Sequence, residues 1–145
     1  MEIYQEDSIV LIHDGVRPLI DEDTITKAIE CTKANGSAIT VSPAVETVVI
    51  KMDGQQIGKI LDRSICQNAK APQCFILKNI FAAHEKARKE NKSDFIDSAF
   101  LMQYYGYSLY TIEGNSENIK ITTPGDFYIF RAILEAKENS QIWGI

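Results

Sequence analysis

In the stretch Ser8–Ile20, SIVLIHDGVRPLI, an apolar run stops at His13, and an acid and an arginine follow close together, Asp14 and Arg17. A carboxylate beside a guanidinium offers two grips: the acid can hold a hydroxyl or a metal, and the base a phosphate. Gly15, between them, lets a ligand approach the backbone, and Pro18 stiffens the loop. The same pair could instead be an ion pair that only shapes the turn, and spacing does not decide between the two. Lys120, in GNSENIKIT, is a lone cation in a short apolar run. A buried lysine is costly unless paired, so Lys120 either meets an anion or faces solvent on a half-exposed strand. Asp62 and Arg63, in LDRS, say little alone. Asp97, in FIDSAF, is a helix cap or a ligand contact. His13 is expected to pack beside its loop and His84 to lie on a helix surface.

No Gly-rich dinucleotide motif, phosphate loop or metal-ligand cluster accompanies these residues. The three cysteines, Cys31, Cys66 and Cys74, are odd in number and unpatterned, which reads as free thiols in a cytoplasmic protein and speaks against a zinc site. A formal net charge of -5 argues against a nucleic-acid partner. No apolar run approaches the roughly 20 residues of a membrane span, and the acidic opening MEIYQED does not resemble a signal peptide.

The elements that must position these residues follow from periodicity. The 145 residues, 45% of them hydrophobic, suit one domain, taken as 1–145. SIVLI reads as a strand buried on both faces. DEDTITKAIECTKANG reads as a helix, with Ile25, Ala28, Ile29 and Thr32 on one stripe, acids at its start and Asn35-Gly36 at its end. SAITVS is a second buried strand. ETVVIKMDGQQIGKIL has two β-rich runs around Asp53-Gly54, a hairpin of mixed faces that could stand off the body as an arm, about 44–66. ILKNIFAAHEKARKEN is a helix with Ile76, Ile80, Ala83 and Ala87 inward, and FIDSAFLMQYYG another, ended by Gly106. YSLYTIE and NIKIT read as strands. Thr123, Pro124 and Asp126 supply a capping threonine, a first-turn proline and an N3 acid for a last helix. The alternation predicts an α/β fold with a mostly parallel sheet. In such sheets ligands bind beyond the carboxyl ends of strands, where Asp14 sits. The opening MEIYQED reads as a helix tail and turn, leaving the first strand with no preceding βα unit.

Together these pieces resemble the polyol-phosphate cytidylyltransferases, which include the methylerythritol-phosphate enzyme of isoprenoid synthesis and the ribitol-phosphate enzymes of teichoic acid and capsule synthesis. VLIHDGVRP resembles the family's HD-A/S-A/V-RP loop, PAVETV the start of its projecting arm and LDRS the arm's return. APQCF is similar to TPQ-x-F, and EGNSENIKITTPGDF to EG-x-x-x-NIK-x-T-x-P-x-D. The five matches run in order from about Ser8 to the last helix.

The resemblance implies a Rossmann-like nucleotide-diphosphosugar transferase fold and a homodimer with exchanged arms. It implies a reaction of CTP with a polyol phosphate that gives a CDP-polyol and pyrophosphate, with magnesium held mainly by the CTP phosphates. Asp14 and Arg17 would then hold the polyol phosphate, Gly15 would offer its backbone to the cytidine ribose, and Lys120 would touch the phosphates at the reacting centre. Thr47 and Arg63, on the arm, would reach the partner subunit's polyol phosphate. Ala71 stands where the methylerythritol-phosphate enzymes usually carry a threonine, and GVRP replaces AARP, which favours ribitol 5-phosphate or a similar substrate. The family's Gly-rich nucleotide loop has no counterpart in this sequence. The expectation is therefore the C-terminal part of a longer enzyme, inactive alone. The alternative is a non-catalytic dimerisation or polyol-phosphate-binding module.

Overall fold

The computed structural model describes residues 5–143; the helix tail expected at the very start falls largely outside them. The strands are β1 (Ile9–Ile12), β2 (Ser37–Pro43), β3 (Val49–Lys51), β4 (Ile57–Ile60), β5 (Gln67–Ile76) and β6 (Thr111–Glu113). The helices are α1 (Glu22–Asn35), α2 (Leu77–Lys89), α3 (Ser98–Tyr104) and α4 (Pro124–Trp143), with a 3-10 turn at Arg63–Ile65.

Helix α1 forms as its caps dictate. The Asp21 carboxylate accepts from Thr24 N–H at 2.9 Å, and Gly36 takes the left-handed conformation (φ 89°) while donating to Thr32 O. Its deepest stripe is Thr24, Ala28 and Thr32, one turn apart, with Ile25 and Ile29 half-buried beside it. That face lies on the sheet through Ala28, Ala38 and Cys74. The opposite face carries Ile39, Val41 and Phe75 and is covered by α2 (Ile80, Ala83, Ala87) and α3 (Leu101, Met102). Successive residues of β2 and β5 thus face opposite helical layers, as the two-residue period of a strand requires. Fully burying a side chain such as Phe75 contributes roughly 1.5–3 kcal/mol. Helix α4 starts in a capping box: Asp126 Oδ2 accepts from Thr123 N–H at 2.8 Å, and Asp126 N–H donates to Thr123 Oγ1 at 3.3 Å. None of its described side chains is buried.

The sheet order is β1-β5-β2-β6. Strands β2 and β6 are parallel, and β5 runs antiparallel to both β1 and β2. Three strands therefore share a direction, but the reversed one lies among them, so the expected mostly parallel sheet is a mixed one. Strand β5 went unread because QNAKAPQCFI neither alternates nor is apolar throughout, and a proline interrupts it. The strand expected at NIKIT is absent, since among the described residues Ile119–Thr122 pair with no neighbouring strand; Ile121 N–H donates to Val16 O. YSLYTIE is a strand only over Thr111–Glu113. Strand β1 is half-buried and stands at the sheet's edge among the described residues, not buried on both faces.

The hairpin is the connection between antiparallel neighbours. β2 leaves the main sheet at Pro43, which pairs with Gln67 where β5 begins. Ala44 N–H donates to Cys66 O at 3.2 Å, closing the base of the excursion. Beyond it, β3 and β4 form a separate two-stranded sheet, with Gly54 at the turn in the left-handed region (φ 74°). Among the described residues no helix is long and apolar enough to cross a membrane, and all three cysteines are free thiols.

Candidate active site

Strand β1 ends at Ile12 and delivers the loop His13–Pro18 to one end of the sheet. There Arg17, though charged, is buried. Its Nε donates to Asp14 Oδ2 at 3.0 Å, and its Nη1 donates to the backbone carbonyl of Asn118 at 2.9 Å. His13 Nε2 lies 2.9 Å from the Arg17 carbonyl, beside the loop as its position suggested. Lys120 Nζ approaches the same Asp14 oxygen at 3.7 Å, and its side chain is half exposed. Both readings of the sequence are thus partly realised. Asp14–Arg17 is an ion pair that shapes the loop, and it is joined by a second cation from the far end of the chain.

Asn118 fastens these segments together. It is fully buried, its Nδ2 donates to Ala71 O at 2.8 Å, and its own carbonyl receives Arg17. Its Oδ1 is buried with no partner among the described residues. Gly114, at the start of this loop, is required by packing: a Cβ there would stand 2.4 Å from Thr40 Cγ2. Thr40 cannot yield, since it is fully buried and its hydroxyl donates to Pro72 O at 2.7 Å.

The third wall is β5. Between the pairs Ile39↔Gln73 and Val41↔Ala69, β2 advances two residues and β5 four. Lys70, Ala71 and Pro72 therefore bulge from the ladder opposite Thr40, and such bulges re-aim side chains. In a regular strand Lys70 and Gln73, three apart, would face opposite sides. Here both line one cleft of about 290 Å³ with Asp14, Arg17, Asp97 and Lys120. Gln73 Nε2 donates to Asp97 Oδ2 at 3.0 Å, while Asp97 Oδ1 accepts from Phe100 N–H at 2.8 Å and caps α3. Asp97 is therefore both a cap and a cleft residue.

Charge in the cleft is unequal: Arg17, Lys70 and Lys120 against Asp14 and Asp97. Partial burial pushes the Asp14 carboxyl up, but the Arg17 hydrogen bond and the charges of Lys120, Arg17 and His13 outweigh it and hold it below the usual carboxylate range. Burial first, and then the charge of Arg17, lower Lys70 from the ordinary lysine value. Phosphate fits this arrangement.

The remaining expected residues lie apart. Gly15 is exposed in the loop, with open space where a side chain would point. Thr47 is exposed. Arg63 is exposed and donates to Val45 O at 2.7 Å within the excursion, beside a separate hollow lined by Pro43, Asp62, Ser64 and Gln67. Neither Thr47 nor Arg63 lines the cleft of Asp14. His84 is exposed on α2. Lys70, Gln73 and Asn118 were not singled out from the sequence. Two of them lie in KAPQ and one in NIK, in or beside segments quoted for their resemblance, but only the bulge and the loop packing show where they point.

The family model described as IspD: 2-C-methyl-D-erythritol 4-phosphate cytidylyltransferase matches residues 1–136. The chain belongs to this family. Among its relatives, the ribitol-5-phosphate cytidylyltransferase of Vibrio parahaemolyticus is 48% identical over 99% of this chain and 60% of that protein. The protein of the same name from Streptococcus agalactiae serotype V is 46% identical, again over 99% of this chain and 60% of the relative. Of solved structures, the 2-C-methyl-D-erythritol 4-phosphate cytidylyltransferase of Francisella tularensis superposes with a TM-score of 0.80 at 27% identity, covering 90% of this chain and 61% of that one. The enzyme of the same name from Thermus thermophilus gives 0.78 at 28% identity, covering 88% and 62%. The fold thus matches part of the fold of the family's solved members. The chain spans about 60% of the length of the curated relatives it matches.

Proposed function

We propose that this chain carries the polyol-phosphate side of a CTP-dependent cytidylyltransferase active site. A phosphate oxygen of the polyol phosphate attacks the α-phosphorus of CTP in line. The bond from that phosphorus to the bridging oxygen of the β-phosphate breaks, pyrophosphate leaves, and a CDP-polyol is formed. The protein's contribution is to position both phosphates and offset the developing charge. The observation that carries this reading is the convergence of Arg17 and Lys120 on one Asp14 oxygen, at the end of β1, by residues about a hundred positions apart in sequence.

In this reading Arg17 and Asp14 orient the polyol phosphate, Lys120 faces the reacting phosphates, and Gly15 leaves its backbone open to the cytidine ribose. Magnesium suits the donor set as an ion held chiefly by CTP phosphates. Asp14, a cleft carboxylate beside Lys120, would meet it there. When bound, magnesium supplies charge neutralisation at the phosphates. Thr47 and Arg63 act across a homodimer formed through the hairpin, whose Val49, Ile50, Met52, Ile57 and Ile60 are exposed. The working compartment is the cytoplasm, where CTP is made. Ribitol 5-phosphate is the favoured substrate, supported by Ala71, by GVRP and by the names of the relatives at 46–48% identity.

The test is pyrophosphate release by the full-length gene product with CTP, magnesium and either ribitol 5-phosphate or methylerythritol phosphate. Faster turnover of ribitol 5-phosphate is expected, and preference for the branched substrate reverses the substrate assignment. No release with either substrate overturns the reading. Residues 1–145 by themselves are expected to release none, because their sequence has no Gly-rich loop to cradle a triphosphate.

A further inference from the structure

The cleft holds one cation that its own acids leave unanswered. Arg17 and Lys120 both meet Asp14. Asp97, the other acid, is engaged by the Gln73 amide and the Phe100 N–H. Lys70 is half-buried at the bulge of β5 and forms no ion pair or hydrogen bond among the described residues. The bulge itself has a geometric consequence. β1 pairs with β5 only as far as Ile12↔Gln73, so Lys70 lies past the end of that pairing, beside the His13–Pro18 loop. An arginine and a lysine brought together there, with water partly excluded from the lysine, is an unfavourable arrangement without an anion and a favourable one with it.

We propose that Lys70 is the third cation of an anion seat, with Arg17 and Lys120, and that it receives a phosphate group of a substrate in this cleft. The inference rests on the cytidylyl-transfer reading for the identity of the substrate, but its geometry does not depend on it. Three observations agree. Lys70 lines the same cleft as Asp14, Arg17 and Lys120. Its ammonium is partly dehydrated and feels Arg17, both of which disfavour its charge until an anion offsets them. Its backbone is held on either side: Ala69 pairs with Val41, and the Ala71 carbonyl accepts from Asn118. The ammonium is therefore presented from a fixed strand rather than from a free loop, which favours recognition of an anion at a defined place.

Phosphate could come from the polyol phosphate or from CTP, and the experiment separates them. The chain, with Lys70→Ala and Lys70→Arg, is titrated calorimetrically with ribitol 5-phosphate, with CTP and with ribitol. Circular dichroism confirms that each variant is folded. In parallel, acylation of the Lys70 amine is followed by mass spectrometry with and without inorganic pyrophosphate. Lys70→Ala is expected to weaken one of the two phosphate ligands by about tenfold or more, the scale of a lost charge-assisted hydrogen bond. Which ligand weakens identifies the phosphate. Lys70→Arg should restore most of the loss, binding of ribitol should not change, and pyrophosphate should slow acylation. A folded Lys70→Ala variant that binds both phosphate ligands as tightly as the parent overturns the proposal and leaves the cytidylyl-transfer reading standing. Protection of Lys70 by pyrophosphate, with no binding of ribitol 5-phosphate or CTP to the parent, keeps the anion seat and removes the substrate assignment. No protection and no phosphate binding overturns the seat.

Discussion

Two glycines set the two ends of this molecule against each other. At Gly58, on β4, an added Cβ would meet Met52 Cγ at 2.6 Å and the Ile50 backbone oxygen at 3.3 Å; Met52 is an exposed, flexible side chain that can swing aside, and Ile50 O need move only a few tenths of an ångström in a free-standing hairpin. At Gly114 the obstacle is Thr40 Cγ2 at 2.4 Å, on a residue that is fully buried and tied by its hydroxyl to Pro72. The hairpin is held by short-range pairing and yields locally. The cleft is held by contacts between residues far apart in sequence, and a change there is passed to all of its walls. A side chain that must hold a ligand at a defined place is better fixed in the second kind of structure.

The difference is open to direct tests. The largest effect is expected at Lys120. Lys120→Ala in the full-length gene product should lower kcat on the order of a hundredfold, if the ammonium stabilises transition-state charge. Near-normal kcat at saturating substrates would return Lys120 to a solvent-facing cation and weaken the functional side of the comparison.

Next come the glycines. Gly114→Ala should destabilise the fold by about 1–3 kcal/mol, the usual range for overpacking a filled site. Gly58→Ala should stay within about 0.5 kcal/mol, like most surface substitutions. Urea midpoints of the two variants measure this, and equal shifts would erase the distinction between the two ends.

A smaller effect is expected with pH. The Asp14 carboxyl is held below its ordinary value of 3.8 in the folded chain. The stability this contributes is fully present above that value and is lost as pH falls through the lower folded one. Asp14→Asn should therefore flatten, between about pH 5 and pH 2, the fall of the urea midpoint with acidification. Some slope should persist, because Asp21, Asp62 and Asp126 are also held low by hydrogen bonds to Thr24 and Asn115, to Ser64, and to Thr122 and Thr123. Parallel curves for parent and variant would count against the Asp14–Arg17 pair as a determinant of the loop.

A small effect on the body is expected even when the whole hairpin is removed. Replacing Val48–Ile60 by a short linker should change the urea midpoint by no more than about 1 kcal/mol in stability terms, because β3 and β4 pair with each other and not with the main sheet. The same variant should sediment as a monomer. A dimer of undiminished affinity would show that the exposed apolar side chains of the hairpin are not the contact.

Where a short-range rule applied, the sequence was enough. The stop at Gly36, the capping pair Thr123 and Asp126, the turn at Asp53-Gly54 and the inward residues Ala28, Thr32, Ile80, Ala83 and Ala87 each depend on residues within about a turn of one another, and the structure has them; that Asp21 caps α1, that Thr24 and not Ile25 lies deepest there, and that Ile76 ends β5 are seen only in the structure. Asp14, Arg17 and Lys120 could be named as candidates because charge in an apolar setting is conspicuous. What the chain's order could not supply was their neighbourhood. β5 carries Lys, Gln and Pro, yet it is a strand because β1 and β2 flank it and satisfy its backbone. NIKIT has a strand's composition, yet it is not one, because among the described residues no strand lies beside it to pair. The bulge that turns Lys70 toward Arg17, and the placement of Asn118 between Arg17 and Ala71, exist only once segments from both ends of the chain are packed together. Local hydrogen bonding and periodicity are written residue by residue; which backbone finds a partner, and which cation is left without one, is decided by packing at long range.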